Sequence, residues 1–205
     1  MLARLVAILG LTLLAACGAE PKWAPEADVQ RALWQAEGPA TLTLFTVVNV
    51  SNGSGAHSAL MVSGDHRAMF DPAGTFYHPA APERNDVHFG ITDNVLKVYI
   101  DYHARETFDV YIQEIQVSPE VARMAMREIQ NYGAVPKAQC NIAVTSILSR
   151  LPGFESVPRG WYPKRTTEWF ATLPGVTQQI ITDDDADDNH GVLLQAGKPE
   201  LPEGF

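Results

Sequence analysis

The sequence predicts an α+β fold in which a small antiparallel sheet packs against helices. Segments with the composition of strands come first in the chain, and segments with helix caps and helical spacing come later. The 205 residues are enough for one domain with a substantial core. We therefore divide the chain into residues 1–16, a tether over residues 17–25, and one α+β domain over residues 26–205 with an acidic C-terminal tail.

Four segments have the composition of strands. They are rich in β-branched and apolar residues and are bounded by turn residues, and they cover residues 41–50, 57–62, 67–70 and 107–117. The flexible turn 52–55 separates the first two. Ser63-Gly64-Asp65 separates the second and third, which predicts a β-hairpin with its loop at residues 63–65.

Five segments are predicted to be helical, at residues 26–37, 93–103, 119–132, 139–151 and 166–172. Thr92 or Asp93 caps the second. Ser118 and Pro119 give the third a capping hydroxyl and a proline in its first turn, and Gly133 ends it. Residues 73–86 are rich in proline, glycine and histidine without periodicity, which indicates a functional surface loop.

The N-terminus has the layout of a secretory signal. Arg4 precedes an apolar run over residues 5–14, and small residues follow before Cys17. The four residues Leu-Ala-Ala-Cys that end at Cys17 resemble the lipobox of bacterial lipoproteins. The resemblance implies that residues 1–16 are removed and that lipid on Cys17 attaches the protein to a membrane. The alternative is an ordinary soluble secretory protein.

The charge of the chain excludes some classes of function. A net charge of −9 gives no electrostatic footprint for nucleic acid, and it provides no attraction to an anionic membrane, so lipid must hold the protein there. Five aspartates lie within residues 183–188. His190 stands where the turn glycine of a calcium loop belongs, and no glutamate closes the loop, so we interpret this segment as a solvated acidic turn.

Cys140 is the candidate nucleophile. If Cys17 carries lipid, Cys140 has no disulfide partner, so it is either a small buried hydrophobe or a reactive thiol. It lies in the first turn of the predicted helix 139–151, where unpaired N–H groups and the helix dipole favour a thiolate. The backbone N–H of Cys140 would also stabilise an oxyanion. Gln139 either donates to that oxyanion or simply caps the helix.

His57 is the best-placed acid–base partner, because it follows a glycine-rich turn and opens an apolar strand. A histidine on an early strand, a hairpin, and a cysteine at a later helix start resemble the permuted branch of the NlpC-type, papain-like cell-wall hydrolases, over residues 41–175. The resemblance implies a circularly permuted papain-like fold and thiol-protease-like chemistry, with Cys140 as nucleophile and His57 as base. It also implies that residues 161–163 border the substrate cleft.

The same resemblance implies a polar residue that orients His57, and Asp71 is the candidate. A three-residue hairpin loop over 63–65 would place His57 directly opposite Asp71 with both side chains on one face. A two-residue loop would turn Asp71 to the other face. Alternatively, Asp71 caps the turn before Pro72.

The remaining histidines carry no short metal-ligand motif. We interpret them as surface or core residues (His66, His78, His88 and His103). A zinc site that combines His57 with His66 is conceivable from composition alone, but no ligand spacing supports it, and we predict no metal and no cofactor.

Two functions remain open from the sequence. The first is an envelope lipoprotein that hydrolyses or transfers acyl groups at amide or ester bonds of cell-wall peptide or lipid. The second is a non-catalytic lipoprotein that serves as a binding or assembly module. Gly18, rather than aspartate, follows Cys17, which resembles the sorting signal of Gram-negative lipoproteins that face the periplasm from the outer membrane.

Overall fold

The structure, a computed structural model, describes residues 18–195 of the chain. These residues form one seven-stranded antiparallel sheet and six helices, which confirms an α+β fold. The predicted signal segment 1–16 and Cys17 lie outside the described residues. No helix within residues 18–195 has the length and apolar character that crossing a membrane requires.

The sheet has the strand order β4-β5-β3-β2-β1-β6-β7. Its strands are β1 (Thr41–Asn49), β2 (Gly55–Ser63), β3 (Arg67–Phe70), β4 (Glu83–Arg84), β5 (Val87–Phe89), β6 (Phe108–Gln116) and β7 (Thr177–Ile181). The sequence predicts β1, β2, β3 and β6 but not the other three. Two of these, β4 and β5, are only two and three residues long, and β7 is a mostly exposed edge strand, so none has a clear alternation of apolar residues.

The helices are α1 (Glu26–Ala32), α2 (Asp93–His103), α3 (Pro119–Tyr132), α4 (Cys140–Leu148), α5 (Pro163–Phe170) and α6 (His190–Gln195). Thr92 and Ser118 cap α2 and α3 with their hydroxyls, as the sequence predicts. Three predicted helices have wrong limits: the first ends at Ala32 instead of 37, the fourth ends at Leu148, and the fifth begins at Pro163, whose ring suits a first helical turn. The last helix was not predicted.

Apolar side chains cover both faces of the sheet. On one face, Leu42, Leu44, Leu60 and Val62 pack with residues of α3, α4 and α5. On the other face, Phe45, Ala59, Met61 and Met69 pack with residues of α2. This two-sided burial explains why β1 is buried along almost its whole length, including its three threonines.

The short length of β3 shapes one edge of the sheet. β3 pairs with β2 only from Leu60 to Ser63, so the first residues of β2 are not covered by β3. Helix α4 packs against β2, and its first residue, Cys140, reaches the sheet in this region, where it accepts a hydrogen bond from the backbone of Ser58. The truncated strand therefore lets a residue from a helix on one face of the sheet approach a side chain on the other.

Candidate active site

The structure brings His57, Asp71 and Cys140 together. The Nε2 of His57 lies 2.6 Å from the Oδ1 of Asp71, and the same imidazole hydrogen-bonds the sulfur of Cys140. Asp71, His57 and Cys140 thus form a continuous chain of polar contacts.

The predicted register between His57 and Asp71 is wrong in one respect. The hairpin loop has three residues, but they are Gly64–His66 and not 63–65, since Ser63 pairs with Arg67. Continuing this register places Asp71 opposite Ala59, so His57 and Asp71 are diagonal neighbours rather than a direct pair. A shift of two residues preserves the face of the sheet, and for that reason the two side chains still meet.

A β-bulge adjusts the position of His57. Val47 pairs with His57 and Val48 pairs with Gly55, which leaves Ala56 as an extra residue on β2. Bulges bend a strand and redirect side chains, and they are frequent beside active sites. The sequence signal is the run of small and polar residues that precedes His57.

Cys140 occupies the first position of α4 and belongs to neither apolar cluster. Only 7% of the surface of Cys140 is exposed to solvent. Burial opposes ionisation of the thiol, but the hydrogen bond and the charge of His57 and the backbone N–H groups of Ser58 and Asn141 outweigh burial and lower its pKa. The environment therefore favours a thiolate.

His57 and Asp71 are charged as well. Burial disfavours the imidazolium form of His57, yet the Asp71 carboxylate and the Cys140 sulfur raise its pKa to about 10. Burial likewise disfavours the Asp71 carboxylate, but the contact with His57 holds its pKa well below the usual range. Between the pKa values of Cys140 and His57 the site holds a thiolate, an imidazolium and a carboxylate.

Asp71 is held from several sides. Its backbone N–H donates to the carbonyl of Asp86 at 2.8 Å, and the hydroxyl of Tyr99 donates to its Oδ1 at 2.9 Å. The Oδ2 atom is buried and has no hydrogen-bond partner among the described residues. Gly74 packs directly against this carboxylate, since a methyl group there would overlap it. The alternative prediction, that Asp71 only caps a turn, does not account for these side-chain contacts.

His103 belongs to the site, although the sequence analysis assigned it to the surface or core. Its ring stacks on that of His57 with 5.8 Å between centroids and 3° between planes. Its Nδ1 lies 2.8 Å from the carbonyl oxygen of Tyr99, which fixes the ring. Burial lowers the pKa of His103 to about 4, so a neutral imidazole lies against a charged one.

A cleft of about 240 Å³ opens beside His57 and is called the His57 cleft below. Its lining residues come from β1, β2, β6, α2 and the residues that follow it, the loop after β3, and the segment 187–189: Val47, Ala56, His57, Ala73, Gly74, Thr75, Tyr102, His103, Arg105, Phe108, Asp187 and Asn189. Cys140 is not among them. Neither is the segment 161–163, which the sequence analysis placed at the cleft border, although Trp161 and Tyr162 are exposed.

Asn141, the residue after the nucleophile candidate, joins three parts of the chain. It is buried, its Oδ1 accepts from the Ser58 hydroxyl at 3.1 Å, and its Nδ2 donates to the carbonyl of Gly160 at 2.8 Å. Gln139 is the N-cap of α4, but its side chain makes no capping hydrogen bond. The capping role considered for Gln139 is therefore wrong for its side chain, and its role toward an oxyanion stays a prediction.

Two groups of described residues have metal-ligating atoms within 4.8 Å of one another. They are His57, Asp71 and His103, and Asp101, Asp183 and Asp185. The zinc site that would join His57 to His66 does not form, because His66 lines a separate pocket against α3. In the first group, a direct 2.6 Å hydrogen bond joins His57 to Asp71, a geometry that fixes the orientation of the imidazole.

The acidic segment is held by contacts with the segment after α2. Arg105 is buried and pairs with Asp185 at 3.2 Å, and the hydroxyl of Thr107 donates to Asp187 at 2.6 Å. Within this segment, Asp187 and Asn189 form part of the wall of the His57 cleft. The aspartates are thus partly engaged, rather than purely solvated as the sequence analysis expected.

Comparison of the chain with protein-family models, with curated proteins and with solved structures finds no match.

Proposed function

We propose that this protein is an envelope lipoprotein whose domain is a cysteine-dependent hydrolase or acyltransferase with a circularly permuted papain-like arrangement. One observation carries the proposal: Asp71 bonds His57, and His57 in turn lowers the pKa of the Cys140 thiol in the first turn of α4. A packed structural cysteine needs neither a charged imidazole partner nor backbone N–H donors.

The first half of the reaction is acylation of Cys140. The thiolate attacks the carbonyl carbon of an amide or ester, a C–S bond forms, and the carbonyl electron pair moves onto oxygen. The backbone N–H of Cys140, at the first position of α4, has no partner within the helix and stabilises this oxyanion. The intermediate then expels an amine or alcohol, which takes its proton from the His57 imidazolium and leaves a thioester.

The second half returns the enzyme to its starting state. Water, or an acceptor hydroxyl or amine, attacks the thioester and transfers a proton to His57 while the thiolate leaves. With water the reaction is hydrolysis, and with the other acceptors it is acyl transfer. Asp71 keeps the imidazole oriented and stabilises its charge throughout, since its carboxylate is buried and bonded to Nε2.

The sequence supports the proposed location and leaves two substrate classes open. The lipobox-like segment supports lipidation of Cys17 and removal of residues 1–16, and Gly18 supports sorting to the outer membrane with the domain in the periplasm. Peptide amides of the cell wall and lipid esters are the two substrate classes for such an enzyme. Both react through the same thioester.

The pH dependence of Cys140 alkylation tests the proposal. In the full-length protein we expect iodoacetamide to label Cys140 well below the unperturbed thiol pKa of about 8.5, with the site identified by peptide mass spectrometry. His57→Ala should move the profile to higher pH, and His66→Ala is the matched control because His66 lies in the hairpin loop. If Cys140 were unreactive, or if His57→Ala left the pH profile of its alkylation unchanged, the non-catalytic binding module would be favoured instead.

A further inference from the structure

The segment after Cys17 lies against the domain instead of extending away from it. The backbone N–H of Ala24 donates to the carbonyl of Glu83 at 2.9 Å, and that of Asn85 donates to the carbonyl of Lys22 at 3.0 Å. The ammonium of Lys22 pairs with Glu83 at 2.8 Å, and the guanidinium of Arg84 lies 4.7 Å from the centroid of the Trp23 ring. Residues 22–24 thus extend the edge of the sheet beside β4.

This contact continues to the first described residue. Gly18 and Glu20 line a small cavity of about 90 Å³ together with the loop residues 73–75, and Glu20 lies 3.5 Å from the ammonium of Lys137. Gly74 and Thr75 also line the His57 cleft. One short loop therefore separates the start of the described chain from the candidate active site.

Gly18, the first residue that the structure describes, lies beside this loop. In the sequence Cys17 is bonded directly to Gly18, which lines this cavity. Seventeen residues precede Gly18, and residues 5–14 are almost entirely apolar. Lipid on Cys17 would enter the bilayer next to the loop 73–75, and the contacts at residues 20–24 would prevent the domain from moving away.

We infer that the surface formed by Gly18 and the loop 73–77 docks on the lipid bilayer, so that the mouth of the His57 cleft is held at the membrane interface. Tyr77 supports this orientation, because it lies two residues after Thr75 and is 57% exposed, and tyrosine is enriched at membrane interfaces. The inference rests on the lipidation of Cys17 within the proposed function. It differs from the prediction that residues 17–25 are a tether, because residues 22–24 pair with the edge of the sheet.

Quenching by brominated lipids tests the orientation. The lipidated full-length protein is reconstituted in phosphatidylcholine–phosphatidylethanolamine vesicles with brominated acyl chains. The added emission of Tyr77→Trp should be lost there and retained in unbrominated vesicles. Tyr162→Trp is the matched control, because Tyr162 is 67% exposed and precedes α5, which packs on the opposite face of the sheet from α2. Its added emission should be unaffected.

A second variant separates the anchor from the orientation. About twenty Gly/Ser residues inserted between Gly18 and Ala19 span roughly 25 Å and should abolish the quenching of Tyr77→Trp. Mass spectrometry of the Cys17 peptide tells the failures apart. A lipidated protein in which Tyr77→Trp is not quenched, or in which Tyr162→Trp is quenched equally, would overturn the docking surface alone. Absence of lipid would overturn the membrane anchor as well.

Discussion

Gly74→Ala should disable the site without replacing any of its functional groups. A methyl group at this position would lie 2.9 Å from the Oδ1 of Asp71, with Cγ and Oδ2 closer still, so the carboxylate must move. Its 2.6 Å bond to His57 would then exceed the normal hydrogen-bond range of about 3.2 Å. A hydrogen bond to a charged group contributes about 1.5–3 kcal/mol, which corresponds to a loss of roughly 10- to 100-fold in thiolate reactivity.

The rate of Cys140 alkylation as a function of pH measures this effect. We expect a lower rate near pH 6 and a higher apparent pKa for the thiol in Gly74→Ala. Gly64→Ala is the control: neither glycine has a positive φ, and a methyl at Gly64 meets only the Cβ of Ala122, at 3.3 Å. If Gly74→Ala reproduced the wild-type profile in a folded protein, the carboxylate would not govern the reactivity of the sulfur.

Three further outcomes concern stability. Tyr99→Phe removes the hydroxyl that donates to buried Asp71 and should lower the free energy of unfolding in urea by about 1–3 kcal/mol. Tyr102→Phe is the control, because its hydroxyl contacts exposed Thr75. A larger loss of stability in Tyr102→Phe than in Tyr99→Phe would contradict the prediction. The raised pKa of His57 stabilises the folded state below pH 6.5, and this contribution is lost as the pH rises toward about 10. The free energy of unfolding measured in urea should therefore fall over this pH range, and the fall should be smaller in His57→Gln. Burial raises the pKa of Asp86 to about 6, which penalises the folded state above that pH. Asp86→Asn should therefore unfold at higher urea than wild type at pH 8 but not at pH 4, and equal gains at both values would refute the assignment.

The sequence was sufficient for the parts of the fold that carry strong local signals. The limits of α2, including its Thr92 cap, and the strand Arg67–Phe70 agree with the prediction, because a capping hydroxyl and a run of apolar residues between turns are local features. Candidate residues for the site also came from local features, a cysteine in a first helical turn and a histidine that opens a strand. Their meeting in space depended on tertiary packing.

Other features of the site have no local signal. The stacking of His103 on His57 depends on how α2 packs across the sheet, and the close approach of Gly74 to Asp71 depends on the path of a proline- and glycine-rich loop. The predicted register places Asp71 opposite His57, whereas the observed register places it opposite Ala59, two residues away, because the loop begins one residue later than predicted. Only the two-residue periodicity of strands kept the side chain on the correct face.

The four-residue length of β3 has a consequence for engineering. Two more residues of strand at its C-terminal end would compete for the edge of β2 from which the main chain of Ser58 donates to the Cys140 sulfur. The sheet would gain backbone hydrogen bonds there, while the Cys140 thiol would lose the N–H of Ser58 as a donor and could no longer approach His57 at this edge. A hairpin redesigned for greater rigidity would in this way close off the nucleophile.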